Sequence, residues 1–140
     1  MTEQVRFHFD IDGENFTSAG EASVRIKKLL REMGFAPDVI RRVSVAMYEG
    51  EINMVIHADG GSADVLVSAD KIEIVLADKG PGIADIELAM SEGFSTAPDN
   101  IRSLGFGAGM GLPNMKRYTD EMRIESELGK GTTIYMTVNV

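Results

Sequence analysis

The sequence contains no cysteine and only two histidines, His8 and His57, which lie far apart in the chain. The absence of cysteine excludes disulfide bonds and thiolate chemistry, and two separated histidines are too few for a structural zinc site. The chain also lacks a run of about 18 apolar residues, the length that a membrane-spanning helix needs. The first ten residues lack the basic and apolar regions of a signal peptide. We therefore expect a cytoplasmic protein that does not enter a membrane.

Basic residues are also few. The sequence has 14 Lys and Arg but 22 Asp and Glu, which gives a formal net charge of −8. Nonspecific nucleic-acid binding needs a basic surface, so this balance argues against direct contact with nucleic acid. It does not exclude a phosphate ligand, because backbone N–H groups and a bound cation can offset negative charge locally. With 140 residues, of which 44% are hydrophobic, the chain is most simply one domain spanning residues 1–140.

Hydrophobic periodicity and turn residues divide the chain into predicted helices and strands. Ser18 and Glu21 form a capping-box pattern that opens a first helix, and Pro37 suits the first turn of a second. The predicted order is strand 5–11, helices 18–33 and 37–58, strands 63–68 and 71–77, helix 110–118, and strands 122–127 and 132–140. The connection 83–107 is predicted to be a lid with a short helix at 85–90, because connections of this length are usually functional.

This order of elements predicts an α+β fold. Helices that cluster around antiparallel hairpins are most economically arranged as a two-layer α/β sandwich. We expect a mixed, mostly antiparallel sheet covered by about three helices.

Four polar or glycine-rich motifs separate the apolar segments. They are EGEIN at 49–53, DKGPG at 78–82, GFGAGMGL at 105–112 and GKGTT at 129–133. A single glycine-rich loop is a weak signal, because glycine also serves ordinary turns and helix caps. Four such motifs in this order predict one nucleotide pocket that is built from four parts of the chain.

Glu49 and Asn53 are four residues apart, so they share one face of the second helix. A carboxylate can act as a general base, and an amide oxygen can complete the oxygen shell of a magnesium ion that also holds phosphates. Taken alone, the pair also fits a solvated helix surface. Glu51 is the competing acid, but it points away from this face. Gly50 costs about 1 kcal/mol relative to alanine within a helix, which indicates close packing or a nearby ligand.

Asp78 follows an apolar strand and enters a turn that contains Gly80 and Gly82. A carboxylate at a strand end can accept a hydrogen bond from an exocyclic amine such as that of adenine. The alternating glycines let the backbone approach a flat ring closely. An ordinary Asp-Gly-Pro turn is the alternative.

The third motif has glycine at every second position directly before a predicted helix. Free N–H groups at a helix start favour an anion, and glycine removes the Cβ atoms that would obstruct a triphosphate. No Gly-Lys-Ser/Thr follows, so the motif is not a P-loop. No strand precedes it, so it is not the dinucleotide-binding fingerprint either. A flexible lid with glycine hinges is compatible with the same pattern.

The four motifs together resemble the N box, the G1 and G2 boxes and the terminal GxGT strand of the GHKL ATP-binding fold, over about residues 43–133. That fold is shared by gyrase, heat-shock chaperones, histidine kinases and mismatch-repair ATPases. The chain is most similar to the anti-sigma factor serine/threonine kinases, because Glu49 and Asn53 match their Glu-x-x-x-Asn N box and an apolar stretch and a histidine follow Asn53, as in NMVIH at 53–57. The resemblance implies that the chain binds ATP and Mg²⁺.

Carried over by position, the resemblance implies a role for each motif residue. Glu49 would be the general base, and Asn53 would be the magnesium ligand. On the adenine side, the implied residues are Asp78, which reads the amine, Gly80 and Gly82, which shape the wall, and Thr132, which supports a water network. On the phosphate side, they are Arg102, which approaches the γ-phosphate, and the glycines Gly105, Gly107, Gly109 and Gly111.

The resemblance predicts a serine/threonine protein kinase in a partner-switching circuit. It would phosphorylate a small antagonist protein and, when free, hold a sigma factor or another regulator. A homodimer is compatible with this role. Two alternatives stay open, a nonenzymatic module in which ATP only gates protein binding, and a stand-alone ATP domain of the histidine-kinase type.

Overall fold

A computed structural model describes residues 4–12, 20–58, 60–83, 90 and 111–140. Its elements are β1 (Val5–Asp12), α1 (Glu21–Glu32), α2 (Pro37–Ala58), β2 (Gly60–Val67), β3 (Lys71–Ala77), α3 (Gly111–Arg117), β4 (Glu121–Glu127) and β5 (Gly131–Asn139). The predicted order of helices and strands is therefore confirmed. The predicted lid at 83–107, with its short helix at 85–90, lies outside the described residues apart from Ile83 and Met90. None of the helices in the described ranges is long and apolar enough to cross a membrane.

The five strands form one sheet in the order β1-β2-β3-β5-β4. Each neighbouring pair is antiparallel, so the expected mostly antiparallel sheet contains no parallel pair among the described strands. Residues alternate between the two faces of each strand. In β3, Ile72, Ile74 and Leu76 are buried, whereas Glu73 and Val75 between them are partly exposed. The buried face packs against the helices, which confirms the two-layer sandwich.

The first helix begins later than the sequence predicts. The predicted capping box placed its start at Ser18, which lies outside the described residues, but α1 begins at Glu21. The N-cap residue is Gly20, which has a φ of 99° and makes no side-chain cap. A carboxylate from α2 replaces the local cap, because Glu51 accepts backbone N–H groups of Gly20 at 2.9 Å, Ala22 at 3.3 Å and Ser23 at 2.6 Å. With Gly20 as N-cap, the N–H groups of Ala22 and Ser23 stand at the positions that an N-cap side chain usually satisfies, and a tertiary contact satisfies them instead.

Helix α2 packs closely on β3 and α3 at Gly50. A Cβ atom on Gly50 would overlap Leu76 Cδ1 and would lie 3.6 Å from Met115 Sδ. Gly50, Leu76 and Met115 are all buried. Close packing therefore explains why a glycine with poor helix propensity occurs within α2, which is one of the two explanations that the sequence offered. The close approach brings the second half of α2 next to the end of β3 and the start of α3.

Candidate functional site

Glu49 and Asn53 lie one turn apart on α2, and both are partly exposed. Glu49 Oε1 accepts a hydrogen bond from Nδ2 of Asn114 on α3, at 3.2 Å. Glu49 Oε2 lies 3.8 Å from the position that a Cβ atom on Gly111 would take. Gly111 is the last glycine of the third motif and the first residue of α3. The structure thus brings the first motif and the end of the third motif together at the Glu49 carboxylate.

Asp78 is held at the end of β3 by its partner strand. The register pairs Ala77 with Thr133, and the Asp78 N–H donates to the Thr132 carbonyl at 2.9 Å. Asp78 Oδ1 accepts the N–H groups of Gly80 at 2.9 Å and Thr132 at 3.1 Å. Within the described part of the chain, Asp78 Oδ2 accepts no hydrogen bond. The carboxylate is therefore fixed in orientation and can accept a further donor.

The second and fourth motifs pack against each other, backbone to backbone. Gly82 has a φ of 82°, and a Cβ atom on it would lie 2.6 Å from the Glu127 carbonyl oxygen. Gly131 has a φ of 128°, and a Cβ atom on it would overlap the Asp78 carbonyl oxygen. The Gly129 N–H donates to the Pro81 carbonyl at 2.9 Å. Only glycine permits this approach without steric strain, so the two motifs form one wall of the site.

Two hydroxyl groups lie behind that wall. The Ser126 and Thr132 hydroxyls are 2.8 Å apart, and Thr132 is buried. Ser126 Oγ also accepts the Ile83 N–H at 2.7 Å. Ser126 therefore links Ile83, which directly follows the second motif, to Thr132 on β5 through two hydrogen bonds.

The sequence reasoning missed both Ser126 and Asn114. A signal for each was present in the printed sequence. Ser126 is a polar residue at an inward position of β4, where Met122 and Ile124 also point inward. Asn114 follows Gly111 by three residues, so the two residues share one face of α3.

Glu51 belongs to the fold rather than to this site. Its side chain is 2% exposed and directed at the N-terminus of α1, away from Glu49. Burial raises the pKa of the Glu51 carboxyl above its ordinary value, although the N–H groups of Ser23, Gly20 and Ala22 oppose this shift. The prediction that Glu51 lies off the Glu49 face is confirmed.

The donor set near Glu49 suits a cation that is shared with a ligand. In the described ranges, no group of three or more His, Cys, Asp or Glu side chains can hold a metal ion by itself. Magnesium usually keeps several waters and takes only one or two protein oxygens when substrate phosphates supply the others. A single amide oxygen from Asn53 therefore fits Mg²⁺ bound together with phosphates, and it does not fit a metal held by protein alone.

Four of the predicted site residues lie outside the described residues. They are Arg102, Gly105, Gly107 and Gly109. Their roles stay predictions. The predicted residues that the structure does describe form two groups, one around Glu49 and Gly111 and one around Asp78 and Thr132.

Comparisons with known proteins identify a family and several relatives that the chain resembles. A family model described as histidine kinase-, DNA gyrase B- and HSP90-like ATPase matches residues 15–140. The serine/threonine-protein kinase RsbT of Bacillus subtilis is 34% identical over 112 residues, covering 77% of this chain and 78% of the relative. The anti-sigma F factor of Geobacillus stearothermophilus is 28% identical over 142 residues, covering 97% of this chain and 92% of the relative.

Two solved structures share the fold. The RsbU and RsbW domains of a Mycobacterium tuberculosis protein superpose with a TM-score of 0.66 at 17% identity, covering 96% of this chain and 32% of that one. The mycobacterial sensor histidine kinase MprB superposes with a TM-score of 0.54 at 19% identity, covering 96% of this chain and 97% of that one. At these identities the likeness concerns the fold alone.

Proposed function

The chain belongs to the family of histidine kinase-, DNA gyrase B- and HSP90-like ATPases, and we propose that it is an ATP-dependent serine/threonine kinase of the anti-sigma type. The family implies ATP binding. The kinase proposal is supported by relatives that are named serine/threonine kinase and anti-sigma F factor. The observation that carries it is the Glu49 carboxylate, which lies one helical turn from Asn53 and beside Gly111 at the end of the glycine-rich motif.

Each group of site residues has a place in the proposed binding mode. The Asp78 carboxylate accepts a hydrogen bond from the adenine amine, and Gly80, Gly82 and Thr132 lie on the adenine side of the site. Asn53 holds Mg²⁺, which supplies positive charge to the phosphates when it is bound. The phosphates are lined by Arg102 and the motif glycines Gly105, Gly107, Gly109 and Gly111.

In the proposed reaction, Glu49 accepts the proton of a serine or threonine hydroxyl on the target protein. The hydroxyl oxygen forms a bond to the γ-phosphorus as the bond from that phosphorus to the β–γ bridging oxygen breaks. The electron pair of the broken bond leaves with ADP. The products are a phosphorylated side chain, ADP and a proton on Glu49 that returns to solvent.

A labelled-ATP assay with a small antagonist protein as acceptor tests this proposal. Glu49→Gln should keep ATP affinity within a few-fold and should lose about 10²–10⁴ in phosphotransfer, the usual contribution of a general base. The control is Glu32→Gln, which changes an exposed acid at the end of α1 and should transfer phosphate at the wild-type rate. An acid-stable product supports serine or threonine as acceptor, whereas an acid-labile product would favour the histidine-kinase alternative.

The relatives named anti-sigma F factor support a second role, in which the chain binds a sigma factor or another regulator. A pull-down from the native host with and without ATP tests which protein partners the chain holds. ATP-dependent binding without phosphotransfer would favour the nonenzymatic module over the kinase. The expected cytoplasmic location, the single domain over residues 1–140 and the homodimer stay predictions.

A further inference from the structure

We propose that Asn114 is a positioning residue for Glu49. The inference rests on the proposed function, because it concerns the orientation of the base in phosphoryl transfer. It assigns a role to Asn114, which lies outside the four motifs.

The contact joins one donor to one acceptor. An ionised carboxylate can only accept hydrogen bonds, and the asparagine amide nitrogen can only donate them. Asn114 Nδ2 lies 3.2 Å from Glu49 Oε1, so this oxygen is engaged. An amide does not compete for the proton that the base removes. Asn114 can therefore orient Glu49 without taking part in the proton transfer itself.

The proposal assigns the proton transfer to the second carboxylate oxygen of Glu49. Oε2 lies toward Gly111, 3.8 Å from the position of a Cβ atom there, and accepts no hydrogen bond within the described part of the chain. A glutamate side chain has several rotatable bonds, and a base that is free to rotate spends little time in a productive orientation. Holding Oε1 restricts this rotation and directs Oε2 to the side where the glycine-rich motif ends.

Packing keeps the donor in place. Met115, the neighbour of Asn114, is fully buried, and Leu112 anchors the start of the same helix in the core. Gly50, the neighbour of Glu49, leaves the space that Leu76 of β3 fills, and a Cβ atom there would lie in ordinary contact with Met115 of α3. Two adjacent residues of α2 thus have complementary roles, since Gly50 permits close packing on β3 and Glu49 contacts α3.

The contact also couples two parts of the site. Asn114 lies on the same short helix as Gly111, so any displacement of α3 at the glycine-rich end also moves the donor that holds Glu49. The orientation of the base thus depends on the seating of α3 against α2.

The kinetic test compares Asn114→Ala with Asn114→Gln, which keeps an amide donor. Asn114→Ala should lower kcat for phosphotransfer by about tenfold to a hundredfold, with little change in the KM for ATP, because misplacing a reacting group costs rate rather than nucleotide binding. Asn114→Gln should recover part of the loss. In a Glu49→Gln background, Asn114→Ala should cause no further loss. The control is Lys116→Ala, which changes an exposed residue on the same helix and should leave kcat unchanged.

A double-mutant cycle in urea unfolding tests the contact without any activity assay. The midpoint shift of Glu49→Ala with Asn114→Ala should be smaller than the sum of the two single shifts, because each single change removes one partner of the hydrogen bond. Additive shifts would overturn the inference, as would wild-type kcat in Asn114→Ala. Absence of phosphotransfer by the wild-type protein would instead contradict the proposed function, while the unfolding cycle still reports on the contact.

Discussion

At the scale of single residues, Glu49 and Glu51 show how position on one helix decides what a carboxylate does. They are two residues apart on α2, so their side chains leave the helix in nearly opposite directions. Glu49 is partly exposed and contacts α3, whereas Glu51 is buried and binds three backbone N–H groups of α1. The same residue type thus serves the proposed chemistry in one case and a helix terminus in the other.

Glu51→Ala should lower the free energy of unfolding by about 2–3 kcal/mol, because it leaves buried N–H groups at the start of α1 without an acceptor. Urea denaturation monitored by circular dichroism measures this change. Glu32→Ala, at the exposed end of the same helix, should stay within about 0.5 kcal/mol of the wild type. Equal midpoints for Glu51→Ala and the wild type would mean that solvent or another group caps α1.

At the scale of elements, the close packing of α2 on β3 depends on a missing Cβ atom at Gly50. Gly50→Ala should lower the free energy of unfolding by about 1–3 kcal/mol, because the overlap with Leu76 outweighs the gain in helix propensity. Leu76→Val removes the Cδ1 atom that causes the overlap. The double variant Gly50→Ala with Leu76→Val should therefore be less destabilised than the sum of the single variants. A Gly50→Ala protein more stable than the wild type would contradict this packing.

The stability of the β1–β2 strand pair at the edge of the sheet should depend on pH through His8. His8 hydrogen-bonds Asp64 at 2.8 Å and Asp10 at 3.1 Å, and these two bonds raise the pKa of His8 above its ordinary value. Arg6 also donates to Asp64, at 3.0 Å. Partial burial alone would raise the pKa of the Asp64 carboxyl, but the hydrogen bonds from His8 and Arg6 outweigh this effect and lower the pKa. A raised pKa in the folded state means that protonated His8 stabilises the fold below the ordinary pKa.

This stabilisation is lost as the pH rises through the folded-state pKa of His8. The free energies of unfolding of the wild type and of His8→Gln in urea should therefore be compared at about pH 6, below the ordinary pKa of histidine, and at an alkaline pH of about 9. The wild type should lose more free energy of unfolding than His8→Gln over this interval, because the two proteins differ only at residue 8. Parallel pH profiles for the two proteins would show that the His8 bonds do not form in solution.

At the scale of the whole molecule, the order of elements could be predicted because each has a strong local pattern. The alternation in 71–77 and the long apolar helix that begins at Pro37 are examples. Features that depend on distant residues could not be predicted. Glu51 replaced the local cap of α1, and β2 begins at Gly60, earlier than glycine propensity indicates, because Asp12 and Ile11 pair with Gly60 and Gly61. The contact between Asn114 and Glu49 likewise needs the packing of two helices.

The two groups of site residues come from α2, β3, α3 and β5, so a nucleotide that binds both should stabilise the molecule as a whole. A ligand present at about 100 times its Kd adds about 2.7 kcal/mol to the free energy of unfolding, which raises the Tm. ATP should therefore raise the Tm more than GTP, since ATP has an amine that can donate a hydrogen bond to Asp78 and GTP has a carbonyl at that position.

Asp78→Asn should reduce the Tm shift that ATP causes. If its amide oxygen keeps the N–H groups of Gly80 and Thr132, its NH₂ group then faces the adenine amine, and two donors oppose each other. Calorimetric affinities should show a loss of about 1–3 kcal/mol for ATP in this variant. Equal Tm shifts with ATP and GTP in the wild-type protein would remove Asp78 from adenine recognition and leave the wall formed by the second and fourth motifs with a structural role.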